Sequence, residues 1–282
     1  MNPLRTVIFV DGQNFRSNLR QFSFRSGEEY PSYQLEERHF LWRDFFSGVI
    51  DKFNEATHLD HRLVRVYWYH AASITPWSES IRLAQNIIDN YDVPALTMEE
   101  VTEAAKEWYD RERQYFENLR ERVFSNLQRD TDFLEFKYVG QYAIRPYQPY
   151  RIERRYDTGE LYYLGTRLGE KGVDIGITVD MIAKMPNYDV AVLISGDADF
   201  MPVVSYLKDN LRQVYQFSIA KDVATRTQYL SAWLQRDVDC FQIFDELELL
   251  DTYLNREAPM PPAIAQEVDA RIEELKEALE YG

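Results

Sequence analysis

Val190-Ala191-Val192-Leu193-Ile194-Ser195-Gly196-Asp197-Ala198-Asp199-Phe200 is the stretch that decides the fold. Five consecutive apolar residues, three of them β-branched, read as a strand buried on both faces. The run stops at Ser195-Gly196, two aspartates follow, and an apolar helical pattern then resumes from Phe200 to Asp209. A buried strand that turns directly into a helix belongs to a parallel βαβ arrangement. The same grammar appears near the start, where Arg5-Thr6-Val7-Ile8-Phe9-Val10 runs into Asp11-Gly12-Gln13-Asn14 and then a helix read from Gln13 to Phe24.

The rest of the chain extends this alternation. Leu35 to Thr57 carries Phe45, Val49 and Phe53 at helical spacing, Leu63 to Tyr69 is a second strand, and Ser78 to Asn90 is helical. Glu99 to Arg129 is a long charged amphipathic helix with Trp108, Tyr115, Phe116, Leu119 and Val123 as its apolar stripe. Phe133 to Ile144 reads as a strand. Arg151 to Arg155 and Glu160 to Leu164 form a hairpin about Asp157-Thr158-Gly159. Asp174 to Met185 is a helix, Gln213 to Ile219 a strand, Thr225 to Leu234 a helix and Cys240 to Phe244 a short strand. After Ala258-Pro259-Met260-Pro261-Pro262 comes an acidic helix from Ile264 to Leu279. Continuously apolar strands alternating with helices predict an α/β fold with a central parallel sheet covered by helices on both faces.

Bulk properties bound the function. With 45% hydrophobic and 15% aromatic residues, the 282-residue chain is globular in composition. Its single cysteine, Cys240, excludes an intrachain disulfide and a cysteine-built zinc site, and points to a reducing, cytoplasmic setting. The apolar run Leu4 to Val10 is cut off by Asp11, too early for a secretory signal. No segment reaches the ~20 apolar residues of a membrane helix. The net charge of −15 by itself argues against a nucleic-acid partner. The acid is uneven, however: Asp and Glu dominate from Asp245 onward, while Lys137 to Lys171 leans basic through Arg145, Arg151, Arg154, Arg155 and Arg167.

Ligands of open parallel sheets sit beyond the carboxyl ends of the strands, where Asp11, Asp197 and Asp199 fall. A single aspartate there is often only a helix cap. Three gathered at one edge repel unless a cation lies among them, and hard oxygen ligands suit Mg²⁺ or Mn²⁺. Asp174 starts a further helix in Lys171-Gly172-Val173-Asp174, as a candidate ligand or as a cap. Asp180, at ~100° per residue, lies well round that helix and is a possible outer ligand. His39, His58, His61 and His70 show no metal-ligand spacing. No phosphate-binding loop, dinucleotide fingerprint or serine nucleophile elbow is present, which leaves metal-activated water as the nucleophile.

Val7-Ile8-Phe9-Val10-Asp11-Gly12-Gln13-Asn14, Lys171-Gly172-Val173-Asp174 with Asp180, and Ser195-Gly196-Asp197-Ala198-Asp199-Phe200 resemble, in order, the motifs of the NYN domain, in particular its LabA-like branch within the PIN-like nuclease superfamily. Val203 to Phe217, with its Leu211-Arg212-Gln213-Val214-Tyr215 core, looks like the family's helix-to-strand step, and Ser231, Leu234, Asp237 and Phe241 like its tail. The resemblance implies a Rossmann-like PIN/NYN fold and a metal-dependent endoribonuclease. It carries catalytic and metal-binding roles to Asp11, Asp174, Asp197 and Asp199, and a positioning role to Asn14. On this reading residues 1–250 form the nuclease domain, with a helical and β-hairpin insertion at about 91–166. Residues 251–282 are a proline-rich linker and a C-terminal helix.

The expected partner is RNA. Arg151, Arg154, Arg155 and Lys171, interleaved with tyrosines, are candidates to bind it. The helix at 99–129 is expected to pack back on its own domain, with a homo-oligomer or a protein partner, through it and the helix at 264–279, as the alternative. A non-catalytic nucleic-acid-binding or regulatory protein is the main alternative to the nuclease. A haloacid-dehalogenase-type phosphatase needs Asp-x-Asp after the first strand, and Asp11-Gly12-Gln13 lacks it.

Overall fold

A computed structural model describes residues 2–222 and 236–281 of the chain. The helix read from Thr225 to Leu234 lies outside the described residues, as do Ser231 and Leu234. In chain order the main elements begin with β1 (Leu4–Asp11), α1 (Gly12–Leu19), β2 (Ser23–Ser26), β3 (Tyr30–Gln34), α2 (Trp42–Thr57) and β4 (His61–His70). They continue with β5 (Ser73–Ile74), α3 (Ile81–Asn90), α4 (Met98–Asn118), α5 (Ser125–Asp130), β6 (Leu134–Tyr138), β7 (Gln141–Arg154) and β8 (Leu161–Lys171). Then come α6 (Val173–Ala183), β9 (Val190–Ile194), α7 (Met201–Asp209), β10 (Gln213–Ile219), β11 (Cys240–Phe244) and helices Glu246–Thr252 and Pro262–Tyr281. The chain divides into two compact units: Met1–His70, Asn126–Lys137 and Asp174–Gly282 form one, and Ala71–Ser125 with Tyr138–Val173 the other.

The first unit holds a six-stranded sheet in the order β11-β10-β9-β1-β4-β6. β1 pairs in parallel with β4 and β9, and β10 with β9 and β11. Val10 lies opposite Ile194, and Asp11 opposite Tyr69, so β1, β4 and β9 end side by side. All five residues of β9 are buried, as its unbroken apolar run requires. On one face, Phe45, Phe46, Val49, Ile50 and Phe53 of α2 bury the stripe that their spacing sets. Trp42 meets Trp68 edge-on at 4.8 Å, and Phe45 meets Phe217 and Phe244. On the other face α6 is tied to the sheet by the Tyr188 hydroxyl, which donates to the Met181 carbonyl at 2.6 Å. Along Pro262–Tyr281, Ile264, Val268, Ile272 and Leu275 are buried, and Leu279 is exposed.

The second unit is built on β5, β7 and β8. Thr97 and Glu100 start α4 with reciprocal side-chain-to-backbone bonds. Its stripe, including Trp108 and Tyr109, packs with α3 and the β7–β8 ribbon around Ile144, Tyr147 and Tyr163. Gly165 lets the ribbon pass close to Trp108: a Cβ there would stand 2.6 Å from the indole.

Several element readings differ from the structure: the hairpin read from Arg151 to Leu164 is the end of the longer β7–β8 ribbon, and the helix read from Glu99 to Arg129 passes through a π-helical segment at Leu119–Phe124. The helix read from Gln13 to Phe24 ends at Leu19, and Ser23–Ser26 turns into a hairpin with β3, at Gly27 in the left-handed region (φ +58°). The helix read from Leu35 starts at Trp42, because Phe40 instead bridges Leu254 and the Leu41 amide donates to the Tyr253 carbonyl. The strand read from Phe133 to Ile144 is two strands, broken at Gly140 (φ +70°). A Cβ at Gly140 would lie 2.2 Å from the Lys171 carbonyl oxygen.

Candidate active site

The carboxyl ends of β1 and β9 build the site. Asp11 is the last residue of β1 and caps α1, its Oδ1 accepting from the Asn14 amide at 3.1 Å. The Ser195 hydroxyl, just past β9, donates to Asp11 Oδ2 at 2.9 Å and accepts from the Asp197 amide at 3.2 Å. Asp197 in turn caps a short 3-10 turn by accepting from the Asp199 amide at 3.0 Å. Asn14 Oδ1 accepts from the Gly196 amide at 3.0 Å, closing the loop between the two strand ends. A hydrogen-bonded chain therefore runs from Asp11 through Ser195 to Asp197 and Asp199, with Asn14 as a second strut. Asp11 is 5% exposed, and Asp197 and Asp199 are more open.

One glycine and one glutamine fix this geometry. A Cβ at Gly12 would lie 2.2 Å from the Tyr69 carbonyl oxygen and 2.8 Å from the Trp68 indole nitrogen. Only glycine lets α1 leave β1 this close to β4. The fully buried Gln216 donates through Nε2 to the Ser195 carbonyl at 2.7 Å, holding the turn after β9. Behind α1, Arg16 pairs with the buried Glu37. Burial opposes ionisation of Glu37, but the Arg16 charge together with hydrogen bonds from the Glu37 backbone and from Arg16 offsets that and holds its carboxyl below the ordinary range.

The other candidates are placed as follows. Asp174 is in the first turn of α6 and half-buried. Asp180 lies on the same helix, where its Oδ2 accepts from the Tyr69 hydroxyl at 2.7 Å and its Oδ1 pairs with Lys184 at 2.7 Å. Lys171 ends β8 in the second unit and is exposed. Arg151 and Arg154 lie on β7 and Arg155 just after it, also in the second unit. His70 and His39 are buried, and His61 bonds Asn54 and Tyr215. Ser195, Gln216 and Tyr69 were not singled out as functional from the sequence. Gln216 had a weak signal: it is an amide in the middle of a strand whose neighbours Val214, Tyr215, Phe217 and Ile219 are bulky and buried.

Asp180 has a consequence for stability. Burial raises its pKa, but the hydrogen bonds from Lys184 and Tyr69 and the charges of Lys184 and Lys137 more than offset this, so it lies below its ordinary 3.8. A carboxyl depressed in the folded state stabilises the protein above the unfolded pKa. That contribution fades as pH falls through the lower, folded value. Asp180→Asn should therefore lower stability by about 1 kcal/mol near neutral pH, a modest figure because solvent screens the pair. Denaturant titrations of both proteins should show the gap closing towards pH 3, and a gap that stays constant with pH contradicts this account.

Among the described residues, no three His, Cys, Asp or Glu side chains stand together as a ready-made metal cage. The donor set is nevertheless of the right kind. Mg²⁺ is commonly held by only one or two carboxylates, with water and phosphate oxygens completing its shell. Asp11 and Asp197, joined through Ser195, provide such a pair with no sulfur or imidazole ligand.

A parallel sheet whose central strands end in linked carboxylates defines a Rossmann-like protein with an acidic ligand edge. Residues 88–239, more than half of the chain, match the NYN domain, and the protein belongs to the NYN domain family. This ties it to the PIN-like nuclease superfamily. The matched stretch contains Asp174, Asp197 and Asp199, whereas Asp11 and Asn14 precede it. No curated protein matches the chain. The crystal structure of a protein of unknown function from Vibrio parahaemolyticus is similar at 18% identity, over 86% of this chain and 94% of that one, with a TM-score of 0.42. Among the described residues, no helix is long and apolar enough to cross a membrane.

Proposed function

We propose that this protein is a metal-dependent endoribonuclease that hydrolyses RNA phosphodiester bonds, with Asp11, Asp174, Asp197 and Asp199 holding Mg²⁺ or Mn²⁺. The observation that carries this reading is the chain Asp11–Ser195–Asp197 across the ends of β1 and β9. A divalent cation at this edge supplies charge neutralisation at the scissile phosphate and activation of water. The protein's own contribution is placement. Ser195 and the Asn14 amide orient Asp11, and Gln216 holds the turn that carries Asp197. Asn14 uses its oxygen on the Gly196 amide, which leaves its Nδ2 to donate to a phosphate oxygen. Asp180, with both oxygens engaged by Tyr69 and Lys184, shapes the edge and is not assigned a ligand role. A reducing, cytoplasmic setting accords with the single cysteine.

Thermal melts test the metal site. A ligand that binds only the native state stabilises it by about 2.7 kcal/mol at a hundredfold excess over its dissociation constant. Excess Mn²⁺ should raise the wild-type melting temperature above that in EDTA, and the shift should shrink in Asp197→Asn. Coincident wild-type melts in Mn²⁺ and EDTA would sink the assignment.

A further inference from the structure

The arginines of the β7–β8 ribbon are not equivalent. Arg154 is built into the second unit: it donates to the Pro94, Ala95 and Gly159 carbonyls and pairs with Glu100 at 3.0 Å. Arg167 forks onto Glu112 at 2.8 and 2.6 Å. Arg151 and Arg155 differ. Glu153 faces Tyr162 across the ribbon, so Arg151 and Arg155, two residues to either side, share the Tyr162 face. Their guanidinium groups lie 5.2 and 5.6 Å from the Tyr162 ring centre. Arg155 is exposed and makes no ion pair among the described residues; Arg151 has only a surface pair with Glu153, both side chains about half exposed. A guanidinium held against a ring keeps its N–H edges free, the geometry that suits phosphate oxygens.

The surroundings fit the same ligand. Tyr156, next to Arg155 just past the strand end, is fully exposed. Beside Tyr162 a groove of about 390 Å³, also lined by Arg111, Glu107 and Glu160, is large enough for one nucleobase. The two carboxylates are suited to accept from base amino groups. We propose that this end of the ribbon binds single-stranded nucleic acid, with Arg151 and Arg155 on phosphates and the exposed Tyr156 ring on an unpaired base. The site offers ring faces, which unstacked bases can reach and duplex bases cannot. It concentrates the nucleic-acid contacts of an acidic chain at one place. It rests on the proposed nuclease reading only for its choice of substrate.

The test uses the full chain carrying Asp197→Asn, so that the probe survives, and a fluorescent single-stranded RNA. Fluorescence anisotropy is followed across a salt series, with a matched RNA duplex in parallel. Arg151→Ala with Arg155→Ala should weaken single-strand binding by about tenfold or more and reduce the salt slope by roughly 1.4, the value for two phosphate contacts. Arg155→Ala alone, at an exposed position, should show part of the loss and guards against misfolding of the double variant. Unchanged affinity and slope, equal losses on single strand and duplex, or no binding to begin with overturns the proposal. The nuclease reading is judged separately by cleavage with Asp197 intact. Cleavage by a protein whose RNA affinity ignores Arg151 and Arg155 removes the ribbon site alone. Ribbon-dependent binding without cleavage removes the nuclease alone.

Discussion

Asp11→Asn and Asp197→Asn should each reduce RNA cleavage by at least about 100-fold, the scale on which metal sites depend on their ligands and supporting groups. Asparagine is nearly isosteric and can still accept from the Asn14 amide at position 11 or the Asp199 amide at position 197. The Ser195 hydroxyl, which now donates to Asp11, can rotate to accept from an amide. The fold should therefore survive with an unchanged circular-dichroism spectrum, and the melting temperature in EDTA should hold or rise as like-charge repulsion at the edge is relieved. Asp180→Asn should retain far more activity than either, because that carboxylate serves Tyr69 and Lys184. Activity close to wild type in both Asp11→Asn and Asp197→Asn, measured as initial rates, contradicts the proposed site.

Gly12→Ala should damage both the fold and the site. The added carbon meets the Tyr69 carbonyl oxygen at 2.2 Å and the Trp68 ring, and neither can move far. Tyr69 lies in the ladder opposite Asp11, and Trp68 is fully buried against Phe15, Trp42 and Phe136. Relief requires α1 to shift away from β4, which carries Asn14 away from Gly196 and Asp11 away from Ser195. Overpacking of this kind costs about 3 kcal/mol. For a unit of this size that lowers the melting temperature by roughly 6–12 °C. Cleavage should fall with it even where the protein remains folded. A melting temperature within a degree or two of wild type would show that the β1–α1 junction has room.

What could be read from the chain in advance follows from where the information resides. Val190 to Ile194 is an apolar run whose burial is intrinsic, and it is a strand in the fold, as are Gln213 to Ile219 and Cys240 to Phe244, which mix polar residues with bulky ones. Asp11 and Asp197 were visible because strand ends and glycines mark them. Elements decided by distant partners were not. The helix read from Leu35 fails at Phe40 because of Leu254, more than two hundred positions away. Ser195 and Gln216 gain their roles from the register of β1, β9 and β10, which local pattern does not encode. Asp180 is tied to Tyr69 across 111 positions, a pairing that helical spacing alone could not reveal. The basic residues of the insertion were countable, but Glu100 and Glu112 engage Arg154 and Arg167, and only the fold separates these from Arg151 and Arg155.

The central claim is metal-dependent cleavage of RNA at the edge formed by β1 and β9. Its most direct test is the initial rate at which the purified wild-type protein cuts labelled single-stranded RNA, with matched DNA alongside, in Mg²⁺, Mn²⁺ or EDTA. The account predicts internal cleavage of RNA in Mg²⁺ or Mn²⁺, none in EDTA, and loss of the activity in Asp197→Asn prepared identically. RNA left intact in both metals, or cut equally well in EDTA, would contradict it.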